Sequence, residues 1–185
     1  MRKAASNLVA IILLIATSYS QSTDRGPQID AVLTQTTDWL KPMIAAHARS
    51  VKKYADGSTL ENHIDDIEFD ACSLKYKDVT SSQRNGRVTM DQVFTFIVSL
   101  AELDAAESRS EIQEDRPRLI LYTIEDKKTI RGTAWWEVDH VWKVAAQESA
   151  YQSRIVIPFD SLEAAEQVAK YLTQAIKLCQ SRTRS

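Results

Sequence analysis

Side chains that can bind a cation are concentrated in two short stretches of the sequence, ENHIDDIEFD and EVDH. Carboxylate oxygens bind hard cations such as calcium, and two histidines with a carboxylate can hold a transition metal. The first stretch lacks the glycine and the closing glutamate of an EF-hand loop, and an exposed strand edge or a hairpin turn uses the same polar residues. We therefore expect only weak cation clusters, with no metal or cofactor. The residues concerned are His63, Asp65, Asp66, Glu137, Asp139 and His140.

Three tryptophans are candidates for a binding surface: Trp135, Trp136 and Trp142. Adjacent residues of a strand point to opposite faces, so one of Trp135 and Trp136 is expected in the core and the other on an outer face. An exposed tryptophan would offer a surface to a protein partner, a carbohydrate or a hydrophobic ligand. The alternative is that an N-terminal helix covers it.

Motifs of common enzyme classes are missing from the chain. There is no G-x-S-x-G nucleophile motif, and the 4 glycines are isolated from one another, so no phosphate-binding loop is expected. Carboxylates are abundant, but none is evidently set in an apolar context that would raise its pKa. These observations favour a non-enzymatic protein and leave catalysis as the second alternative.

Composition excludes several other classes of protein. The 23 basic residues face 25 acidic ones, for a net charge of −2, so nucleic acid is not an expected partner. With 44% hydrophobic residues and few Gly and Pro, the chain is not disordered by composition. Residues 28–185 are predicted to form a single domain.

The first twenty residues have the layout of a secretory signal peptide. Arg2 and Lys3 precede the apolar run LVAIILLIA, and Ser18 and Ser20 occupy the −3 and −1 positions of a cleavage site. A membrane-spanning helix needs roughly 20 apolar residues, so residues 1–20 are predicted to be cleaved, leaving no membrane span in the mature chain. The protein is predicted to be secreted or periplasmic and, since N-x-S/T sequons are missing, bacterial.

The two cysteines, Cys72 and Cys179, are predicted to form a disulfide. Exported proteins meet oxidising conditions, and two cysteines allow only one intramolecular pairing. Neither residue belongs to a CxxC pair or a nucleophile motif. The bond would join the first predicted strand to the end of the last predicted helix.

The order of predicted elements is helix, strands, helix. Residues 21–27 read as a loose lead-in, and apolar residues at steps of three and four predict helix over 28–54, with a kink or a break at Pro42. Alternating patterns then predict about six or seven strands within 64–159. A C-terminal helix is predicted over 160–180.

Details of the predicted strands rest on local patterns. The apolar phase flips between Ala71 and Cys72, which predicts a bulge or a strand covered on both faces. Asn85-Gly86 predicts a tight turn. Residues 104–117 are polar and are interpreted as a loop or a short surface helix.

The closing helix has the clearest periodicity of the chain. Asp160 is its predicted N-cap, with Glu163 as the capping-box partner. Its apolar stripe comprises Ala165, Val168, Ala169, Leu172, Ala175, Ile176 and Cys179.

This order of elements resembles the pleckstrin-homology-like (PH-like) superfold, over about residues 64–180. The F-x-x-C stretch that begins at Phe69, together with a closing helix that ends in Cys179, also resembles small exported bacterial proteins of unknown function. The resemblance implies an α+β fold: a strongly bent antiparallel sheet or partly open barrel with a C-terminal capping helix, here with an extra N-terminal helix. A cone of the nuclear-transport-factor-like type is the alternative.

Two functions follow from these folds. The first is an exported, non-enzymatic binding or interaction module. The second is a small-molecule carrier or enzyme with a pocket that uses His63 or His140. An open cavity with a converging histidine or carboxylate would favour the second, and a closed core would favour the first. The side chains expected to fill that core are Phe94, Phe96, Leu119, Leu121 and Leu172.

Overall fold

The structure is a computed structural model that describes residues 25–85, 87–138, 141–144 and 150–183. The predicted signal peptide, as well as Asp139 and His140, lies outside these ranges.

The described chain contains two α-helices and ten strands. The helices are α1 (Arg25–His47) and α2 (Leu162–Thr183). The strands are β1 (Arg49–Lys53), β2 (Thr59–Asp70), β3 (Ser73–Arg84), β4 (Arg87–Ser99), β5 (Arg109–Gln113), β6 (Arg116–Tyr122), β7 (Ile130–Val138), β8 (Val141–Val144), β9 (Ala150–Gln152) and β10 (Arg154–Pro158). Short 3-10 turns follow β4 and β6.

The strands form two antiparallel sheets. In the first sheet the order is β1-β2-β3-β4-β7-β8, and β9 pairs with the other end of β7. This sheet is curled into a half-barrel. The second sheet has the order β10-β6-β5. The predicted α+β class, with a bent antiparallel sheet and one helix at each end of the chain, is confirmed; the separate second sheet was not predicted.

One core joins both sheets and both helices. Helix α2 buries its predicted stripe except for Ala169, which is partly buried. Helix α1 packs against α2 and β2, and the rings of Trp39 and Tyr171 lie 4.0 Å apart where the helices meet.

The N-terminal helix differs from its prediction. It begins at Arg25, inside the predicted lead-in, and it is a single helix across Pro42. Leu40 and Ile44 are buried on either side of the proline, so packing holds both turns in place. The helix ends at His47, because residues 49–53 pair with the edge of β2 and satisfy their backbone groups there.

The expected bulge at Ala71 and Cys72 is instead a tight turn. Asp70 pairs with Ser73, and Ala71 has a φ of +47°. Reversal of the chain, rather than a bulge, explains the flip of the apolar phase. A register shift does occur earlier in β2, between Asp65 and Glu68.

Two further predictions concern hairpins. The turn at residue 85 is confirmed, since Arg84 pairs with Arg87 and Asn85 has a φ of +53°. The prediction of a loop or helix for residues 104–117 is wrong over β5 and the start of β6, which form a hairpin through Glu114 and Asp115. Cross-strand pairing stabilises this polar segment, whose sequence alternates too weakly to reveal it.

The prediction of Asp160 as the N-cap of α2 is wrong by one residue. The Ala164 backbone N–H donates to Ser161 Oγ at 3.2 Å, so Ser161 caps the helix. The Asp160 carboxylate instead lies 3.2 Å from His47 Nδ1. It therefore connects the start of α2 to the end of α1.

Candidate functional site

The inner face of the first sheet is the side turned toward the second sheet and the helices. On β3 this face presents Leu74, Tyr76 and Asp78, and then two further polar residues, since alternate residues of a strand share a face. Leu74 and Tyr76 are each 1% exposed. The inner face is therefore apolar at one end of the strand and polar at the other.

A pocket of about 190 Å³ lies over the polar end. One wall consists of inner-face residues of the first sheet, and the other belongs to the second sheet. The lining residues of the first sheet are Ser50, Asn62 and Asp78. Those of the second sheet are Gln113, Arg116, Pro117, Arg118, Val156 and Pro158.

Three polar atoms of this lining are buried and have no hydrogen-bond partner among the described residues. They are Asn62 Oδ1, Asp78 Oδ1 and Arg116 Nε. A buried polar group without a partner costs about 1–3 kcal/mol, and more if it is charged. Three such groups around one small space make this the part of the described chain that is best prepared to bind a polar molecule.

Asp78 is the most perturbed acid of the pocket. Burial raises the pKa of its carboxyl to about 6, and His63 opposes this shift. The Tyr76 hydroxyl, next along the inner face, is buried without a hydrogen-bond partner. Burial and then Asp78 raise the pKa of Tyr76 well above its ordinary value. The expectation that no carboxylate lies in an environment that raises its pKa is therefore wrong.

The second-sheet wall carries two arginines, Arg116 and Arg118, each of which is paired with a glutamate. Glu114 Oε2 is shared between Arg116 Nη2, at 3.0 Å, and Lys52 Nζ, at 3.2 Å. Glu111 is shared in the same way between Arg118, whose Nε lies 2.9 Å from Oε1, and Arg109, whose Nε lies 3.5 Å from Oε2. Each glutamate thus contacts two cations, one of which, Lys52, comes from β1 of the first sheet.

The predicted cation residues lie elsewhere. His63 Nε2 is 3.3 Å from Asp65 Oδ2, and Asp66 Oδ2 is 2.5 Å from Lys77 Nζ. These residues line a shallow depression on the opposite, outer face of the sheet. Strands β3 and β4 separate them from Glu137 on β7. Within the described residues, no group of three His, Cys, Asp or Glu side chains is placed to hold a metal ion.

Trp135 lies on the outer face, in one cross-strand row with His63, Val79 and Val93. Its side chain is 43% exposed. The alternative that the N-terminal helix covers the outward tryptophan is wrong for Trp135, because α1 packs on β2 and α2 instead. The side chains of Trp136 and Trp142 lie outside the described part of the structure.

The predicted disulfide is confirmed. The sulfur atoms of Cys72 and Cys179 are 2.12 Å apart and their Cα atoms 5.6 Å apart. Cys72 lies in the turn between β2 and β3 rather than within a strand, and its carbonyl accepts a hydrogen bond from the Leu100 N–H at 2.8 Å. The bond therefore attaches the end of α2 to the apolar end of the first sheet.

The two observations that were expected to separate the two predicted functions are each present in part. Of the side chains expected to fill the core, Phe96, Leu119, Leu121 and Leu172 are buried and Phe94 is partly buried. A carboxylate, that of Asp78, nevertheless converges on a pocket, whereas His63 faces the outer side.

The sequence did not predict the pocket residues, although the position of Asp78 is unusual in the sequence. It occupies the next position in the apolar phase of Leu74 and Tyr76, where an acid is unexpected. Arg116 and Arg118 gave no comparable signal, since their segment reads as a polar loop.

Comparison of the chain with family models, curated proteins and solved structures yields no match. No helix of the described residues combines the length and apolar character needed to cross a membrane.

Proposed function

We propose that this chain is an exported binding module that holds a small polar ligand in the pocket between its two sheets. The observation that carries the proposal is the convergence of three buried, unpartnered polar atoms, on Asn62, Asp78 and Arg116, around about 190 Å³. A ligand that pairs with these atoms would remove the cost of burying them. Binding is favoured over catalysis because the only hydroxyl among the described lining residues is that of Ser50, and Asp78 Oδ1 accepts no hydrogen bond from it.

Pocket geometry favours a small molecule over a macromolecule. The volume is below the roughly 300–1,000 Å³ that is usual for drug-sized ligands. The donors and acceptors lie on opposing walls that belong to different sheets. A compact ligand with several polar groups would contact both walls at once.

The direct test is a thermal-shift screen of small polar metabolites against the exported, oxidised protein, followed by titration calorimetry of each hit. We expect hits whose affinity falls at least tenfold in Asp78→Asn and remains unchanged in Asp91→Asn. The control makes the same chemical change on the outer face, where Asp91 lines the shallow depression. A complete absence of hits, or equal affinity in both variants, would overturn the proposal.

Export is the second part of the proposal. The layout of residues 1–20 supports it, and the disulfide is compatible with an oxidising location. Amino-terminal sequencing of the protein recovered from periplasm or medium is expected to begin at Gln21. Recovery of the intact amino terminus from the cytoplasm, with both cysteines reduced, would contradict export.

A second candidate function is protein docking at the outer face. The exposed Trp135 favours it, since tryptophan is enriched at the centres of interfaces. Ile97, 41% exposed, lies on the same outer face, four residues along β4 from Val93, the cross-strand partner of Trp135. Affinity capture from the native envelope is expected to retain a stoichiometric partner with the wild-type chain and to lose it with Trp135→Ala. Identical capture by both proteins would exclude this surface.

A further inference from the structure

We infer that the ligand of the inter-sheet pocket is a small zwitterion, an amino acid with a short apolar side chain, bound with its ammonium group on the first sheet and its carboxylate on the second. This inference rests on the proposed binding function and specifies its ligand.

The first-sheet wall provides acceptors for an ammonium group. Asp78 pairs with Ile64 and Asn62 pairs with Thr80, so Asp78 and Asn62 are diagonal neighbours on adjacent strands. Diagonal neighbours on one face lie roughly 7–8 Å apart. A single donor group between them can therefore reach both free oxygens, Asn62 Oδ1 and Asp78 Oδ1. An ammonium group has three donors and a positive charge, which complements the carboxylate of Asp78.

The second-sheet wall provides the opposite charge. The Arg116 Nε–H is buried and unpartnered, and its Nη2 atom contacts a carboxylate that Lys52 also contacts. Arg118 likewise shares Glu111 with Arg109. The buried Nε–H of Arg116 has no acceptor and would therefore donate to an anionic group at this wall. A carboxylate accepts hydrogen bonds from guanidinium with favourable geometry.

The apolar part of the lining determines which side chain of the ligand can fit. Pro117, Val156 and Pro158 are apolar and belong to the second sheet. With about 190 Å³ available, a short apolar side chain fits, and a charged one would be placed against apolar surface at a cost. Alanine, valine and proline meet these requirements.

The opposite charges of the two walls also favour a zwitterion over other small molecules. A simple amine would leave the Arg116 Nε–H unpaired, and a simple carboxylic acid would leave the Asp78 carboxylate unpaired. A neutral polyol could form hydrogen bonds to both walls but would neutralise neither charge.

The test is calorimetry or ligand-observed NMR with the oxidised protein and matched probes. L-alanine, L-valine and L-proline are the expected ligands. Alaninamide retains the ammonium group without the carboxylate, and propionate retains the carboxylate without the ammonium group. We expect each analogue to bind at least tenfold more weakly than L-alanine.

Two variants test which wall of the pocket binds each charged group of the ligand. Asp78→Asn is expected to abolish the preference for L-alanine over propionate, and Arg116→Gln the preference for L-alanine over alaninamide. Asp91→Asn should retain both preferences. The comparison among analogues on the wild-type protein remains decisive if a variant fails to fold.

The outcomes separate the ligand class from the proposed function. Binding of glucose or glycerol that depends on Asp78, with no binding of amino acids, would overturn the zwitterion and leave a small-molecule pocket. Amino-acid binding that is unaffected by both variants would place the ligand outside this pocket and overturn the inference. Failure of these probes and of the entire metabolite screen would overturn the proposed function as well.

Discussion

The inner face of the first sheet is closely packed and apolar at one end, and polar with unpartnered atoms at the other. At the apolar end, Tyr76 and Phe96 are buried with ring centroids 5.3 Å apart, and Val98 is 0% exposed. At the polar end, Asn62 and Asp78 have buried oxygens without partners. The same strands β2 and β3 run through both ends.

The apolar end of the sheet stabilises the fold, whereas the polar end provides the groups that could bind a ligand. The apolar end lies in the core shared with α1 and α2 and is fastened there by the disulfide. The polar end is covered by the second sheet over a pocket and carries an energetic cost. Truncating an apolar side chain at the apolar end should therefore cost much stability, whereas neutralising the Asp78 carboxylate at the polar end should raise it.

The largest effect is expected from removing the disulfide at the apolar end. Cys72 and Cys179 are separated by 107 residues, and a loop of that size corresponds to about 4–5 kcal/mol in the chain-entropy account. Cys179→Ala should lower the free energy of unfolding by up to that amount in urea melts. Reduction of the wild-type protein should reproduce the loss, and an unchanged midpoint in both would refute the stabilising role.

A pair of truncations on β3 compares the two ends directly. Leu74→Ala removes a side chain that is 1% exposed and should cost about 3 kcal/mol of stability. Thr80→Ala, on the same face at the polar end and only partly buried, should cost less than about 1 kcal/mol. Chemical denaturation measures both variants. Equal losses would show that the polar end is packed as tightly as the apolar end.

Neutralising Asp78 should stabilise the fold by up to about 3 kcal/mol at pH 7. Its pKa is raised from 3.8 to about 6 by burial, so the folded state binds more protons than the unfolded state between these values. The stability of the wild-type protein should therefore fall as pH rises from about 4 to 6.

Asp78→Asn is expected to remove this part of the pH dependence, measured as melting temperature across the same window. Asp91→Asn should retain the wild-type slope. A variant that is less stable than the wild type at pH 7 would show that the Asp78 carboxylate is already well paired in the protein.

The smallest effect is expected from Tyr76→Phe, which removes a buried hydroxyl that has no hydrogen-bond partner among the described residues. Losing an unpaired polar group should leave stability unchanged or raise it by about 1 kcal/mol. A loss greater than that in thermal or urea melts would mean that the hydroxyl is hydrogen-bonded, and would weaken the contrast between the two ends.

The predictable parts of the fold are those with strong local periodicity. The stripe of α2 follows from residues three and four apart, and the pairing of Cys72 with Cys179 from there being only two cysteines. Strand β1 was not predicted because its residues continue the helical pattern of the preceding segment. Only pairing with β2 makes them a strand. Such pairing depends on partners distant in the chain, which a local pattern does not contain.

The candidate site was less predictable than the fold for the same reason. Asp78 stands out only once its neighbours Leu74 and Tyr76 are known to face inward. Arg116 becomes relevant only when β6 is placed opposite β3, and these strands belong to different sheets. The tryptophans and acidic clusters are recognisable by residue type alone, whereas the pocket depends on which residues meet across the sheets.

The link between Cys72 and Cys179 also fixes an order of events during synthesis. Eight of the ten strands lie between the two cysteines in the chain, as does most of α2. In the proposed export into an oxidising compartment, Cys72 has no partner within its own chain until nearly all of the last helix has followed. Any product that stops before residue 179 lacks the partner altogether. The oxidation state of a single thiol therefore reports whether the molecule was finished.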